Sequence, residues 1–268
     1  MTDKMIKTVK SDSFSMDYFK FGSGSNTLVI IPGLSVQSVM GSAEAVEEAY
    51  KAMTDDFTIY LFDRRKELPD QYSVHDMARD TAKAIKALGL ADICIFGASQ
   101  GGTIAMYIAA EEPTLVRKLA VASTAAAIAE EHYKLFDEWI ALAKAGNSSG
   151  LYLSFGRTVY TDEVFKQCRG LLEDAAKTVT DEELKRFVIM AESMRGLDMT
   201  KELANIACPV LVIGSEDDRV LDSGSSRVIY EHITSGGSEL YMYDGCGHAV
   251  YDTAPDFKER MLRFFKES

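Results

Sequence analysis

The sequence predicts an α/β fold built on a mostly parallel sheet, and three observations carry that reading. Short continuous runs of apolar, β-branched residues recur along the chain, the pattern of strands buried on both faces. Helical periodicities separate them, so strands and helices alternate as in right-handed crossover units. One stretch of about 80 residues then breaks the alternation with helical patterns alone.

The first element reads as a pair of short antiparallel strands, Met5 to Val9 and Ser15 to Phe21, closed by Gly22-Ser23-Gly24-Ser25-Asn26. Thr27 to Ile31 is the first buried run and ends at Pro32-Gly33. Phe57 to Phe62, Ile93 to Phe96, Lys118 to Ala122 and Val210 to Ile213 follow in the same style, with Leu240 to Tyr243 as the last candidate. Val74, Met77, Thr81, Ile85 and Leu88 recur at spacings of three and four, start after Ser73 as N-cap and stop at Gly89. Gly102 to Glu111, Ser223 to Thr234 and Pro255 to Lys266 give three more helices.

From Ala125 to Asn205 no strand pattern appears. Amphipathic helices are expected around Phe136, Trp139, Ile140 and Ala143, around Val164 to Ala175, and around Leu184 to Met194; the last opens on Thr180 and Glu183, spaced as a capping box. We therefore expect a core domain formed by residues 1–124 and 206–268, with residues 125–205 inserted between core strands as a helical lid.

The 268 residues include 47% hydrophobic and 10% aromatic side chains, enough for a large core. With 29 basic and 41 acidic residues the formal charge is −12, and no basic block offsets it, which argues against nucleic acid and anionic membranes as partners. The polar start of the chain and the lack of any 18-residue apolar run lead us to expect a soluble, cytoplasmic protein. Cys94, Cys168, Cys208 and Cys246 form no Cys-x-x-Cys pair and read as reduced thiols. The four histidines are widely separated, so no metal is expected.

Gly-x-Ser-x-Gly is the spacing that lets a serine sit on a tight strand-to-helix turn with its hydroxyl exposed. It occurs twice, at Gly97-Ala98-Ser99-Gln100-Gly101 and at Gly146-Asn147-Ser148-Ser149-Gly150. Ser99 follows a buried strand and precedes a small-residue helix start, so it is the expected nucleophile. Ser148 stands among turn formers and reads as a loop serine.

A serine hydroxyl needs a base to take its proton. His75, His132 and His232 fall on helical segments and read as surface or interface residues. His248 sits in Asp244-Gly245-Cys246-Gly247-His248, a loop beyond a strand's C-terminal end, where α/β sheets place their chemistry. The base in turn needs a carboxylate. Val210 to Ile213 leads into Gly214-Ser215-Glu216-Asp217-Asp218-Arg219-Val220, and we take Asp218 as the acid with Asp217 second, since periodicity does not separate them. The oxyanion donors are expected to be the backbone N–H groups of Gln100 and Leu34.

With these residues in place the chain resembles the α/β-hydrolase superfamily over nearly its whole length. The resemblance rests on Ile-Pro-Gly-Leu-Ser at 31–35, Gly-Ala-Ser-Gln-Gly-Gly at 97–102, Pro-Val-Leu-Val-Ile-Gly-Ser-Glu-Asp-Asp-Arg-Val at 209–220 and Gly-Cys-Gly-His at 245–248. Phe62-Asp63-Arg64-Arg65 is also similar to the family's strand-end Asp-x-Arg-Gly segment. It implies an eight-stranded, mostly parallel sheet, a helical cap after the sixth strand and a cofactor-free Ser-Asp-His mechanism. Three positions depart from the family: Pro32 replaces a frequent histidine, Arg65 replaces the glycine after Asp-x-Arg, and the acid loop holds an extra carboxylate. The simplest Gly-x-x-Asp spacing selects Asp217, whereas alignment on Asp-Arg-Val favours Asp218.

The chemistry expected is acyl transfer to water on a small or medium apolar ester, lactone or thioester. Trp139, Phe136, Tyr152, Phe155, Phe187, Met190 and Met194 are candidates for the pocket wall, although such stripes more often pack a lid onto a sheet. Carbon-carbon bond hydrolysis of a diketone uses the same residues, and a non-catalytic ligand sensor is the rival from another class. Nucleotide binding lacks its motifs, and serine at position 99 disfavours dehalogenation by a carboxylate.

Overall fold

The computed structural model describes residues 6–11 and 13–267. Met5, the expected start of the first strand, lies outside the described residues. Eight strands form one sheet: β1 (Lys7–Lys10), β2 (Ser15–Phe21), β3 (Asn26–Ile31), β4 (Phe57–Arg65), β5 (Ile93–Ala98), β6 (Val116–Ala122), β7 (Val210–Ser215) and β8 (Glu239–Tyr243), in the order β1-β2-β4-β3-β5-β6-β7-β8. β1 and β2 pair antiparallel, β2 joins β4 antiparallel, and every later pairing is parallel.

The strands expected from apolar runs are the interior ones. Every residue of β5 and β7 is buried, as is the Leu28–Ile31 part of β3. Their side chains alternate between two cores: Val29, Ile31, Ile95, Val121 and Val212 face one, while Leu28, Ile30, Phe96, Leu211 and Ile213 face the other. The first core is covered by α2 (Val74–Ala87) and α3 (Gln100–Glu111), and the second by α1 (Ala43–Ala49) and the C-terminal α10 (Phe257–Lys266). Ser73 caps α2 in a reciprocal capping box with Asp76. α1 is a helix with no counterpart in the sequence reading.

Between β6 and β7 the chain forms α4 (Tyr133–Lys144), α5 (Ser148–Val159), α6 (Asp162–Ala176) and α7 (Asp181–Glu192). The expected capping box of Thr180 with Glu183 opens α7. Phe136, Trp139, Leu151 and Phe187 of these helices join the same apolar cluster as Ile104 and Val121, so the insertion is packed onto the sheet side that carries α3. Its two connections run side by side, with Ile128 N–H donating to Leu197 O at 3.2 Å and Met199 N–H to Ala126 O at 2.8 Å. α8 (Gly224–His232) and the short α9 (Val250–Thr253) complete the chain.

One reading is corrected here. Ser148 is not a loop serine but the first residue of α5, whose N-cap Asn147 accepts from Gly150 N–H at 2.9 Å. The run Gly146 to Gly150 looks like a turn because its residues are cap formers, and a capped helix start uses the same chemistry as a turn.

Candidate active site

Ser99 occupies the turn between β5 and α3 with φ 50° and ψ −125°. A non-glycine residue there carries about 1–3 kcal/mol of strain, held by the bonds around it. Ser99 N–H donates to Ala122 O at 2.9 Å, Gly102 N–H donates to Ser99 O at 2.8 Å, and the Thr124 hydroxyl donates to the same oxygen at 2.7 Å. The flanking glycines are needed for close approach. A Cβ on Gly97 would lie 2.3 Å from Gly101 O, and one on Gly101 would lie 2.2 Å from Ile31 O.

His248 is brought to this turn by the loop after β8 and is 2% exposed. Its Nε2 lies 3.0 Å from Ser99 Oγ, and its Nδ1 lies 2.8 and 3.0 Å from the two carboxylate oxygens of Asp218. A carboxylate only accepts, so Nδ1 carries the proton and Nε2 is free to accept from the Ser99 hydroxyl. Asp218 is itself fixed by Val220 N–H at 2.8 Å and Leu221 N–H at 2.9 Å, both to Oδ1.

Asp217 points elsewhere. It accepts from Ser215 Oγ at 2.5 Å, Gly247 N–H at 3.1 Å and Cys246 N–H at 3.2 Å, which clamps the loop that carries His248. Burial pushes its carboxyl up, but these bonds outweigh that push and hold it below the ordinary carboxylate value. Glu216 pairs with Arg227, and Arg219 pairs with Asp162 of the insertion, so neither joins the histidine.

Leu34 and Gln100 line the same pocket as Ser99 and His248. Gln100 is the first residue of α3, so its N–H has no partner within the helix. Gly33 presses the loop that carries Leu34 against the serine, since a Cβ there would meet Ser99 Cβ at 3.1 Å.

The remaining wall consists of Phe136, Trp139, Phe155, Val159, Met194, Val220 and Leu221. Four of the seven expected pocket residues are therefore present. Tyr152 instead donates to Gln37 Oε1 at 2.8 Å, and Phe187 and Met190 are packed in the core. The free space is about 10 Å³, room for about one water molecule. The sequence reading missed Val159, Val220 and Leu221; Val220 closes the acid loop and Leu221 directly follows it, which is the signal that would have found them.

It also missed Arg64. This side chain, 3% exposed at the end of β4, donates from Nη2 to Pro32 O at 2.7 Å. Burial lowers it to about 10, against the pull of Asp63 and Tyr72, so it keeps its charge at neutral pH. Arg65, in place of the family's glycine, reaches Asp80 at 3.3 Å, Glu67 O at 2.7 Å and Ser13 O at 3.2 Å, and so ties the loop after β4 to α2 and to the start of the chain. His75 lies against Glu111 and Tyr107, and His232 Nδ1 lies 2.8 Å from Val228 O, both away from Ser99.

An eight-stranded, mostly parallel sheet with a serine on the sharp turn between β5 and α3 is the architecture of the α/β hydrolases, and this chain is a hydrolase of that class. Residues 66–253 match the family described as serine aminopeptidase, S33, and the chain belongs to that family. Among curated proteins it is similar to "Putative carbamate hydrolase RutD" of Agrobacterium fabrum (strain C58), 26% identical over 243 residues that cover 87% of this chain and 92% of the relative. Among solved structures it is similar to MGS-M2, an α/β hydrolase from a Medee basin deep-sea metagenome library, with a TM-score of 0.87, 23% identity and 98% of each chain covered. The enol-lactonase of Burkholderia xenovorans LB400 gives a TM-score of 0.83 at 17% identity, covering 97% of this chain and 100% of its own. No helix among the described residues is long and apolar enough to cross a membrane.

Proposed function

We propose that this hydrolase cleaves a small to medium apolar carboxylic ester, lactone or thioester through an acyl-enzyme on Ser99, with His248 as base and Asp218 as its acid. The observation that carries the reading is the unbroken chain of bonds from Ser99 Oγ to His248 Nε2 and from His248 Nδ1 to Asp218, at 3.0 and 2.8 Å. Ser99 Oγ bonds to the carbonyl carbon as its proton passes to Nε2. The N–H groups of Gln100 and Leu34 hold the oxyanion, and the leaving group departs with the proton from Nε2. Water then gives a proton to Nε2 as its oxygen bonds to the acyl carbon, and the bond from that carbon to Ser99 Oγ breaks as Nε2 returns the proton to Oγ, releasing the carboxylic acid and restoring the serine.

The substrate class follows from the wall. Apart from Ser99, Gln100 and His248 it is apolar, so a charged acyl group would be buried without a partner. A relative named for carbamate hydrolysis and a neighbour named as an enol-lactonase support attack on an acyl carbon bearing a heteroatom. Residues 125–205 act as the lid in this reading, since they bring Phe136, Trp139, Phe155, Val159 and Met194 over Ser99 and leave little free space beside it. The four free thiols fit a reducing, cytoplasmic setting.

A panel of p-nitrophenyl esters and acyl thioesters of increasing chain length, run on the wild type and on Ser99→Ala, tests the proposal. Turnover of short and medium acyl groups by the wild type alone is expected. Equal turnover by the Ser99→Ala variant would refute it.

A further inference from the structure

The side chain of Gln100 has work that its backbone role does not require. It is 1% exposed and spans from the nucleophile turn to the inserted helices. Its Nε2 donates to Met190 O at 2.8 Å and to Ser193 Oγ at 3.2 Å. Met190 lies in the last turn of α7 and Ser193 is its C-cap. Met190 O accepts this bond beside one from the Ser193 hydroxyl at 2.6 Å, while Met194 N–H, its regular helical partner, donates to Ala191 O instead. The amide of Gln100 thus caps the end of α7, and Met194, two residues beyond that helix, forms part of the pocket wall.

The other end of the same amide is held from the core. Arg64 Nη2 lies 3.4 Å from Gln100 Oε1 and 2.7 Å from Pro32 O, the carbonyl just before Gly33 and Leu34. One guanidinium nitrogen therefore touches the segments that carry both expected oxyanion donors. α7 is anchored to the same strand end by Arg186, whose Nη1 donates to Arg65 O at 2.6 Å and Lys66 O at 3.1 Å and whose Nη2 lies 3.3 Å from Asp63 Oδ1. Among the described residues Arg64 Nε is buried with no hydrogen-bond partner, so the guanidinium is held through Nη2 by Pro32 O and Gln100 Oε1.

We propose that Gln100 and Arg64 are positioning residues that couple the seating of α7 to the geometry of the oxyanion hole. When α7 is seated, Met190 O and Ser193 hold the Gln100 amide, and Arg64 transmits that register to Pro32 and hence to Leu34. When α7 lifts to admit substrate, the Gln100 side chain loses two of its three partners and the donors fall out of alignment. The hole is then competent only under the closed lid, where bulk water is excluded. This inference rests on the hydrolytic reading above, and it adds a condition to it: catalysis is gated through a side chain beside the nucleophile.

Gln100→Met tests it, because methionine keeps the volume and the backbone N–H while removing the amide. In p-nitrophenyl butyrate hydrolysis kcat is expected to fall about 10- to 100-fold, the penalty typical of a small misplacement of catalytic groups, with KM changed by less than about threefold. The inhibition constant of butaneboronic acid, which forms a tetrahedral anion on a serine, should rise by a matching factor. A purely structural role would lower the melting temperature without that parallel. If the Met variant does not fold, Gln100→Glu, which keeps the acceptor toward Arg64 and loses the donor toward α7, reads the same quantities. A folded variant with kcat and boronate affinity within about twofold of wild type would overturn the coupling. A wild type no faster than Ser99→Ala would instead overturn the reading beneath it.

Discussion

Asp217 and Asp218 are neighbours in the chain whose carboxylates hold opposite sides of one histidine loop: Asp218 lies 2.8 Å from His248 Nδ1, and Asp217 accepts from the backbone of Gly247 and Cys246 just before it. The two substitutions should separate cleanly. Asp218→Asn is expected to lower kcat by about 10³- to 10⁴-fold with little loss of stability, because an amide favours the wrong imidazole tautomer. Asp217→Asn replaces an acceptor of three bonds with one that has a single acceptor oxygen. It should cost about 1–3 kcal/mol in urea denaturation and leave kcat within about tenfold of wild type.

The acid limb of stability carries a further signature of Asp217. Its folded value lies below the ordinary 3.8, so it contributes stability above that value and loses it as the pH falls through the folded one. The stability gap between wild type and Asp217→Asn should stay level from about pH 7 to 5 and close below about pH 4. Denaturation midpoints measured across that range check this, and a gap that widens on acidification would contradict it.

Sequence reading succeeded where one physical constraint dominated. β3, β5 and β7 are buried on both faces, so unbroken apolar runs reveal them, and the turn that carries Ser99 admits only glycine at its crowded positions, Gly97 and Gly101. It failed where packing decides. Leu151, Phe155 and Val159 repeat at helical spacing, yet Gly146 to Gly150 hid the start of α5 behind turn-forming residues. α1 is too short for its periodicity to stand out. The choice between Asp217 and Asp218 depends on loop conformation and not on residue type. Nothing in Asp63-Arg64-Arg65 marks Arg64 as the buried arginine, because its partners are one backbone carbonyl, Pro32 O, and the Gln100 amide, both distant in sequence.

Two glycines offer a paired test of the turn. Gly101→Ala would place a Cβ 2.2 Å from Ile31 O and 2.4 Å from Pro32 O, forcing β3 away from α3. A loss of about 3 kcal/mol or more is expected, with activity lost alongside. Gly170→Ala lies on the exposed face of α6 with nothing within 4 Å and should gain about 0.5–1 kcal/mol. Thermal melts of both variants read the contrast.

Phe155 lines the pocket beside Ser99. Half-buried and with its ring tilted at 45° to that of Trp139, 4.7 Å away, it can be shortened with less damage to the core than Trp139 itself. Phe155→Ala should shift the preferred acyl chain to lengths greater by about two to four carbons, with kcat/KM for butyrate falling as that for octanoate rises. An unchanged chain-length profile would mean that the acyl group lies elsewhere.

The central claim is that Ser99 is activated by His248, and covalent labelling with a fluorophosphonate tests it most directly. Peptide mass spectrometry of the labelled wild type should find the adduct on Ser99, with none on the folded Ser99→Ala variant and labelling of His248→Ala slowed by about 10³-fold or more. An adduct on another residue, or equal labelling rates with and without the histidine, would contradict the account.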